Sequence, residues 1–159
     1  MTQEQKISRL QAQWNNWGST QFGRWLVTKM VCFTAPYFRS IKPLFEEVKP
    51  GYVSATMKKR WSVTNHIKSV HAIAMCNIAE LVGGCCMDVS VNLSRFRWIP
   101  IGMEIQYIKI AKTDLRAVCR LDNFDWDKPQ DVIMPVEVYD TNGQKVFHAD
   151  IKMRISDKK

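Results

Sequence analysis

The chain has 159 residues, 46% of them apolar, and it carries a net charge of +8. This size predicts one domain, 1–159, with enough apolar residues for a folded core, which excludes global disorder. The polar N-terminal segment and the lack of an uninterrupted apolar run of bilayer length predict a soluble cytoplasmic protein with no membrane span. The positive charge indicates an anionic partner, and nucleic acid, anionic lipid or a phosphate-bearing small molecule fits this description.

The first part of the chain predicts a helical extension. In residues 3–17, apolar side chains recur at spacings of three and four, which predicts a helix that ends at Gly18. A second predicted helix ends near Pro36 and is apolar over a wide arc. Three roles remain open for this helix: to cap a sheet, to line an acyl pocket or to contact a partner subunit. We expect the extension, 1–42, to precede a core of residues 43–156.

A hairpin and a long apolar helix follow the extension. The segments PLFEEV and YVSATMKKR have strand patterns and are separated by Pro50-Gly51, which is a turn signal. The next apolar run predicts a helix over 69–82, with Ser69 as its N-cap and Gly83-Gly84 as its end. One face of this helix is predicted to bury Ile73 and its apolar neighbours, because a helix this apolar belongs in the protein interior.

The remainder of the chain is rich in strand patterns. RFRWIPIG and MEIQYIKIAKT predict strand segments that are interrupted by Pro100 and Gly102, and DLRAVCRLDNF alternates again. Two further alternating runs flank a turn that contains Asn142-Gly143, and Asn-Gly is the strongest short hairpin signal. This order of elements predicts the α+β class, with a long helix packed on an antiparallel sheet.

The chain contains five cysteines: Cys32, Cys76, Cys85, Cys86 and Cys119. Their odd number and the expected cytoplasmic location predict reduced thiols, and their spacings match no zinc motif. We therefore expect them to act as small buried apolar side chains and expect no metal site.

The stretch NHIKSVHAIAMCNIAE, residues 65–80, places polar side chains in an apolar helical run. A carboxylate inside a packed helix, here Glu80, is paired with a cation, protonated or functional. His71 and Glu80 are nine residues apart, so one helix separates them by about 13 Å and points them to opposite sides. Two copies related by a twofold axis would bring the N–H groups at one helix start beside the other Glu80, which pairs an oxyanion donor with a general base.

This stretch and the order of elements resemble the hotdog fold, in which an antiparallel sheet wraps around a long central helix. The motif is similar to that of phenylacetyl-CoA-type acyl-CoA thioesterases, which have Asn, then His-Gly-Gly six residues later, then Asp or Glu nine residues after the His. Asn65, His71 and Glu80 occupy these three places, and Ala72-Ile73 replaces Gly-Gly. The two N-terminal helices resemble those of an uncharacterised hotdog branch that has no assigned substrate.

The resemblance implies a role for each motif residue. Glu80 would activate water or attack the thioester directly, and the Ala72 N–H would polarise the thioester carbonyl. Asn65 would orient the water or the carbonyl, and His71 would hold a loop or the substrate, although a purely structural histidine remains an alternative. Ile73 would narrow the space for the substrate, because glycine permits a closer approach of the carbonyl than a branched residue does.

The implied substrate is an acyl-CoA or an acyl-carrier thioester, hydrolysed by a homodimer or a dimer of dimers. No cofactor is expected other than coenzyme A as part of the substrate. The phosphates of coenzyme A are negatively charged and are best bound by the cationic side chains of Lys and Arg. The candidates are Lys58, Lys59, Arg60, Arg95 and Arg97, and solvated surface cations are the alternative for each.

Three other functions remain open. The lost Gly-Gly pair is also compatible with a hotdog protein that binds an acyl chain or acyl-CoA without turning it over. His66 lies fourteen residues before Glu80, a spacing that resembles the His and Glu of hotdog 3-hydroxyacyl dehydratases, but the Pro- and Gly-rich stretch of those enzymes is absent. The segment SRFRW and the net charge would suit RNA, although the chain contains no recognised nucleic-acid motif.

Overall fold

The computed structural model describes residues 7–158 and has three α-helices and six strands. In chain order these are α1 (Arg9–Trp17), α2 (Gln21–Thr34), β1 (Pro43–Lys49), β2 (Tyr52–Met57), α3 (Ala72–Ser90), β3 (Phe96–Tyr107), β4 (Leu115–Arg120), β5 (Gln130–Tyr139) and β6 (Lys145–Asp157). Short 3-10 helices at Pro36–Ser40 and Trp61–Val63 lie in the connections. The predicted α+β class and order of elements are confirmed.

The six strands form one antiparallel sheet in the order β1-β2-β4-β5-β6-β3. Every second residue of β4 and β5 is buried, which gives the sheet one apolar face against α3. The predicted β5–β6 hairpin is confirmed. In its turn, Asp140 Oδ1 accepts hydrogen bonds from the N–H groups of Asn142 and Gln144, both at 2.9 Å, and Gly143 has a φ of 75°.

The central helix α3 is longer than the sequence predicts and begins later. His71, rather than Ser69, is its N-cap, and the helix continues through Gly83-Gly84 to Ser90. The two glycines do not end the helix because they lie where it packs closely on other elements. A Cβ at Gly83 would lie 2.8 Å from Ile151 Cδ1, so glycine permits a closer approach to the sheet than a larger residue would.

Two further local predictions are wrong. Pro100 and Gly102 do not divide β3, which forms one strand with a shift of register against β6 at these residues. Such irregularities are found near proline because it cannot donate a ladder hydrogen bond. Ile73 is 53% exposed rather than buried, since the first turn of α3 extends past the edge of the core.

The N-terminal helices cover one side of α3. α1 begins at Arg9 with Ser8 as its N-cap, and the first part of the predicted helix, 3–6, lies outside the described residues. α2 is joined to the sheet by the buried Thr28, whose hydroxyl donates to the Arg24 carbonyl at 2.7 Å and accepts from the Phe45 N–H at 3.1 Å. The extension is therefore packed against the core.

The helix α3 meets the length and composition criteria for a membrane span, with a mean hydropathy of 1.5 over an 18-residue window. However, 72% of that window is buried inside the protein, as expected for the core helix of a soluble fold. All five cysteines are free; four are buried and Cys76 is partly exposed.

Candidate active site

One row of side chains on α3 is left uncovered by the sheet. Its members recur at every fourth position and are all partly exposed, whereas most other α3 residues are buried. We call this row the α3 stripe; it comprises Ala72, Cys76, Glu80, Gly84 and Asp88. The N-terminal extension and β3 face the stripe, so polar groups on it border spaces between elements instead of the core.

Two cavities lie along the α3 stripe, and Glu80 lines both. The larger, about 630 Å³, lies between α1, α2 and α3, and its walls include Met30, Phe38, Leu81 and Trp98. The smaller, about 490 Å³, extends from Ile73 to Glu80 beneath the Pro36–Ser40 helix and beside Met103. Both walls are mainly apolar, so Glu80 occupies the junction of two apolar spaces.

Glu80 is half-buried and has no hydrogen-bond or ion-pair partner among residues 7–158. Burial raises its pKa above the ordinary glutamate value, and no other cause contributes. Glu80 therefore does not form an ion pair with an arginine among the described residues, which was the structural alternative to a functional role. A carboxylate with a raised pKa in a cavity is typical of functional sites.

Asn77, three residues before Glu80, is a site residue that the sequence analysis missed. It lines the smaller cavity, and its Nδ2 donates to Ser40 Oγ at 3.0 Å. Its Oδ1 is buried and has no hydrogen-bond partner in the part of the chain that the structure describes. A buried polar atom without a partner costs free energy, so Asn77 Oδ1 is a candidate hydrogen-bond acceptor beside Glu80.

His71 and Ala72 shape the start of α3. His71 Nδ1 accepts a hydrogen bond from the Ile73 N–H at 3.1 Å, which occupies that amide. The Ala72 N–H has no partner among the described residues and lies at the positive end of the helix dipole. Eight residues separate Ala72 from Glu80, about 12 Å along the axis, so one protomer does not bring these groups together.

Asn65 uses its side chain within its own loop. Its Oδ1 accepts from the N–H groups of Ile67 and Ser69, both at 3.1 Å, and its Nδ2 donates to Ser69 Oγ at 2.8 Å. These bonds fold the loop that leads into α3. His66, in the same loop, is exposed and lies outside both cavities.

Of the predicted phosphate-binding cations, Arg60 contacts Ser40 but lines neither cavity. Its Nη2 donates to the Ser40 carbonyl at 2.6 Å, next to the hydroxyl that Asn77 contacts, and its Nε and Nη1 are buried without a hydrogen-bond partner among the described residues. Lys58 is exposed, and both Lys58 and Lys59 lie outside both cavities. Arg60 is thus linked to Asn77 only through Ser40.

Arg95 and Arg97 are engaged elsewhere. Arg95 pairs with Asp127 at 2.7 Å, and Arg97 Nε donates to Ser156 Oγ at 3.2 Å. Neither lines the cavities at Glu80. Two other cations, Arg9 and Lys29, line the larger cavity. They could not be selected from the sequence because they lie on separate helices.

The far part of the larger cavity contains Gly84, Asp88 and Trp98. A Cβ at Gly84 would lie 3.3 Å from Trp98 Cη2, so the missing side chain keeps the space beside the indole open. Burial raises the pKa of Asp88, and a hydrogen bond from Ser8 offsets part of this rise. The four-residue recurrence from Ala72 to Asp88 is the sequence signal that would have identified Gly84 and Asp88.

Comparisons with known proteins agree with this architecture. The family model described as a domain of unknown function (DUF4442) matches residues 23–155. The structural genomics protein APC5556 is 38% identical, with a TM-score of 0.83 over 94% of this chain and 98% of its own. No curated protein matches the chain in sequence.

More distant structures share the fold. PA5026 of Pseudomonas aeruginosa, a protein of unknown function described as a probable thioesterase, is 24% identical, with a TM-score of 0.72 over 77% of this chain and 88% of its own. Thioesterase HI1161 of Haemophilus influenzae is 7% identical, with a TM-score of 0.67 over 76% of this chain and 82% of its own. The long helix, the six-stranded antiparallel sheet and these matches confirm the predicted hotdog fold. The chain belongs to the DUF4442 family of hotdog-fold proteins.

Proposed function

We propose that this protein is a thioesterase that hydrolyses fatty or aromatic acyl-CoA. The observation that carries the proposal is Glu80, a half-buried carboxylate without a partner among the described residues, at the junction of two apolar cavities. An apolar cavity with a few polar groups suits the acyl part of a substrate. The fold shared with thioesterase HI1161 and with PA5026 supports the same reaction class.

In the proposed reaction, a water held between Glu80 and Asn77 Oδ1 attacks the thioester carbon and gives its proton to the Glu80 carboxylate. The negative charge that develops on the carbonyl oxygen is stabilised by the free N–H of Ala72 from a second protomer. The tetrahedral intermediate then releases the coenzyme A thiolate, which takes up the proton from Glu80. Direct attack by Glu80 through an acyl anhydride would use the same carboxylate.

The second protomer is proposed to pair with β3. This strand lies at the edge of the sheet, with β6 on one side. From Ile99 to Tyr107 it contains one charged residue, Glu104, and exposes Ile99, Ile101 and Ile105. A long apolar edge strand is a template for strand pairing, and pairing of two copies about a twofold axis would also bring their α3 helices together.

The larger cavity is proposed to hold the acyl chain. From Glu80 to Asp88 it follows eight residues of α3, about 12 Å along the helix axis. An extended saturated chain has C–C bonds of about 1.5 Å but advances only about 1.3 Å per bond because of its zigzag, so about ten carbons cover this length. Medium-chain acyl groups are therefore the proposed preference.

The coenzyme A phosphates are proposed to contact Arg9 and Lys29, which line the larger cavity, with Arg60 beside Ser40 as the alternative. A carrier-protein phosphopantetheine would need the same cations. We further propose a cytoplasmic location, where acyl-CoA is available, and no cofactor beyond the substrate.

The proposal is tested by a thiol-release assay over acyl-CoAs of increasing chain length. Wild type is compared with Glu80→Gln, which preserves shape but removes the base, and with the control Glu47→Gln, a half-exposed carboxylate on β1 paired with Lys49. We expect Glu80→Gln to lower kcat by about 10²–10⁴-fold and the control to retain wild-type turnover.

The outcomes separate the candidate functions. Retained turnover in Glu80→Gln would exclude Glu80 as base and nucleophile. If wild type and both variants bind acyl-CoA tightly but release no thiol, the result would favour the non-catalytic binding protein. Ile73, which stands at the smaller cavity in place of a glycine, would then be the physical reason for the lost hydrolysis.

A further inference from the structure

The charge of the chain is concentrated in its first part. Residues 7–68 contain ten Lys and Arg and two Glu, whereas residues 69–158 contain eleven Lys and Arg and twelve Asp and Glu. The whole excess of positive charge therefore lies in the segment that contains α1, α2 and the first hairpin. The proposed contacts to coenzyme A involve three of these ten cations and leave the others without a role.

The cations of the N-terminal helices have no carboxylates in their own part of the sequence. No Asp or Glu occurs in residues 7–45. Within the described part of the chain, none of the five cations of residues 7–42 forms an ion pair, whereas ion pairs occur throughout the sheet. These five are Arg9, Arg24, Lys29, Arg39 and Lys42.

The outward side of α2 is aromatic. Phe22, Trp25 and Phe33 lie on one side of the helix with Lys29 between them, and their exposed fractions are 71%, 48% and 83%. The Phe22 and Trp25 rings stack at 5.7 Å, and Lys29 Nζ lies 5.7 Å from the Trp25 ring centroid. The opposite side of α2 packs on the core, so this helix is apolar on both sides.

Two neighbouring segments add further exposed aromatic rings. Tyr37 follows α2 and is 69% exposed, and Trp61 is 91% exposed. The segment of Trp61 is held beside the Pro36–Ser40 helix by the hydrogen bond from Arg60 to the Ser40 carbonyl. We call the set Phe22, Trp25, Lys29, Phe33, Tyr37 and Trp61 the aromatic-cationic face.

We propose that the aromatic-cationic face docks the protein on the surface of an anionic phospholipid bilayer. Trp, Tyr and Phe rings are favoured at the level of the lipid headgroups, and unpaired Lys and Arg are attracted to anionic lipid. A second copy of the chain is a poorer partner, since twofold contact of this face would oppose two clusters of uncompensated positive charge. Docking is independent of the proposed hydrolysis.

The docking has one consequence for the acyl cavity, which rests on the proposed function. Lys29 and Phe33 belong to the aromatic-cationic face and also line the larger cavity. A bound bilayer would therefore lie against two of the residues that line the proposed acyl cavity.

Vesicle flotation with the full chain tests the proposal, using phosphatidylglycerol mixed with phosphatidylcholine against phosphatidylcholine alone. We expect wild type to float with the anionic vesicles only, and to be released by high salt. Phe22→Ser/Trp25→Ser and Lys29→Gln/Arg39→Gln should each bind at least tenfold more weakly. The matched control is Ile133→Ser, which removes an isoleucine that is 56% exposed on the sheet.

Circular dichroism and melting curves establish that each variant is folded, which is expected because the replaced side chains are largely exposed. Equal flotation with both kinds of vesicle, or none with either, would overturn the proposal. So would variants that bind vesicles as wild type does but form smaller oligomers, which would identify the face as an interface between copies. Binding to single-stranded RNA that withstands competition by the anionic vesicles would overturn it in favour of nucleic acid.

Discussion

At the scale of single residues, the titration of Glu80 sets the pH range of the proposed reaction. Burial raises the pKa of Glu80, because the apolar cavities disfavour the charged carboxylate. A base must be deprotonated, so kcat/KM falls as the pH drops through this raised pKa. We expect the acidic limb of the pH–rate profile above the ordinary glutamate value of about 4.3. A limb at or below that value would contradict the assignment.

The same burial predicts that Glu80 reduces stability at neutral pH. Because the pKa of Glu80 is higher in the folded than in the unfolded protein, its contribution to the free energy of unfolding is fully present below the unfolded-state pKa. This contribution is lost as the pH rises through the folded-state pKa. Glu80→Gln should therefore raise Tm at pH 7 and change it less near pH 4. Melting curves of Glu80→Gln and Glu47→Gln at both pH values check this, and an equal shift at both would argue against a raised pKa.

Gly84 is predicted to set the length of acyl chain that the larger cavity accepts. A Cβ at this position would already lie 3.3 Å from Trp98, so Gly84→Leu fills the space beside the indole. We expect KM for a ten-carbon acyl-CoA to rise by about tenfold or more, since lost apolar contacts cost about 1–3 kcal/mol. KM for acetyl-CoA should stay unchanged, which serves as the internal control. An equal rise in KM for both substrates would show that the acyl chain does not occupy the space beside Trp98.

At the scale of elements, the hairpins and the order of elements along the chain could be predicted from the sequence because their signals are local. Alternation and the Asn142-Gly143 turn are sufficient for β5 and β6. The bounds of α3 could not be predicted in this way. Gly83 resembles a helix stop in sequence, and only the packing on Ile151 shows why glycine stands inside the helix.

The candidate site was predictable to a similar extent. Glu80 could be selected because a carboxylate is unusual in an apolar helix, and the structure places it at two cavities. Asn77, Trp98 and Lys29 could not be selected, since their role depends on where α2 and β3 pack against the α3 stripe. Asn65 matches a family motif, yet its hydrogen bonds within the loop are visible only in three dimensions.

The edge strand β3 supports a prediction about assembly. If two copies pair through β3, Ile101→Lys/Ile105→Lys places like charges close together across the twofold axis and should convert the dimer to a monomer. Sedimentation velocity measures the change. Ile133→Lys is the control, because Ile133 is exposed on the central strand β5. A double variant that remains dimeric would show that the copies meet elsewhere.

At the scale of the whole molecule, the proposed site needs two protomers, because about 12 Å of helix separates Ala72 from Glu80. Ala72→Pro replaces the N–H group with a ring carbon and is compatible with the helix, since proline is tolerated at the first position of a helix. His71 already has a φ of −65° and a ψ of 138°, which suits the residue before a proline. We expect a loss in kcat of about 10²–10³-fold with α3 intact by circular dichroism.

Mixing two inactive variants tests whether the site is shared. A heterodimer of Ala72→Pro and Glu80→Gln contains one site with both defects and one with neither, because each site takes Ala72 from one protomer and Glu80 from the other. An equal mixture should therefore recover about a quarter of wild-type activity. The control is Ala72→Pro mixed with the double variant Ala72→Pro/Glu80→Gln, which forms no intact site. If heterodimers are verified by mass spectrometry and no activity returns, the N–H donor and the carboxylate do not act across the interface, and the oxyanion must be held by groups of the same protomer as Glu80.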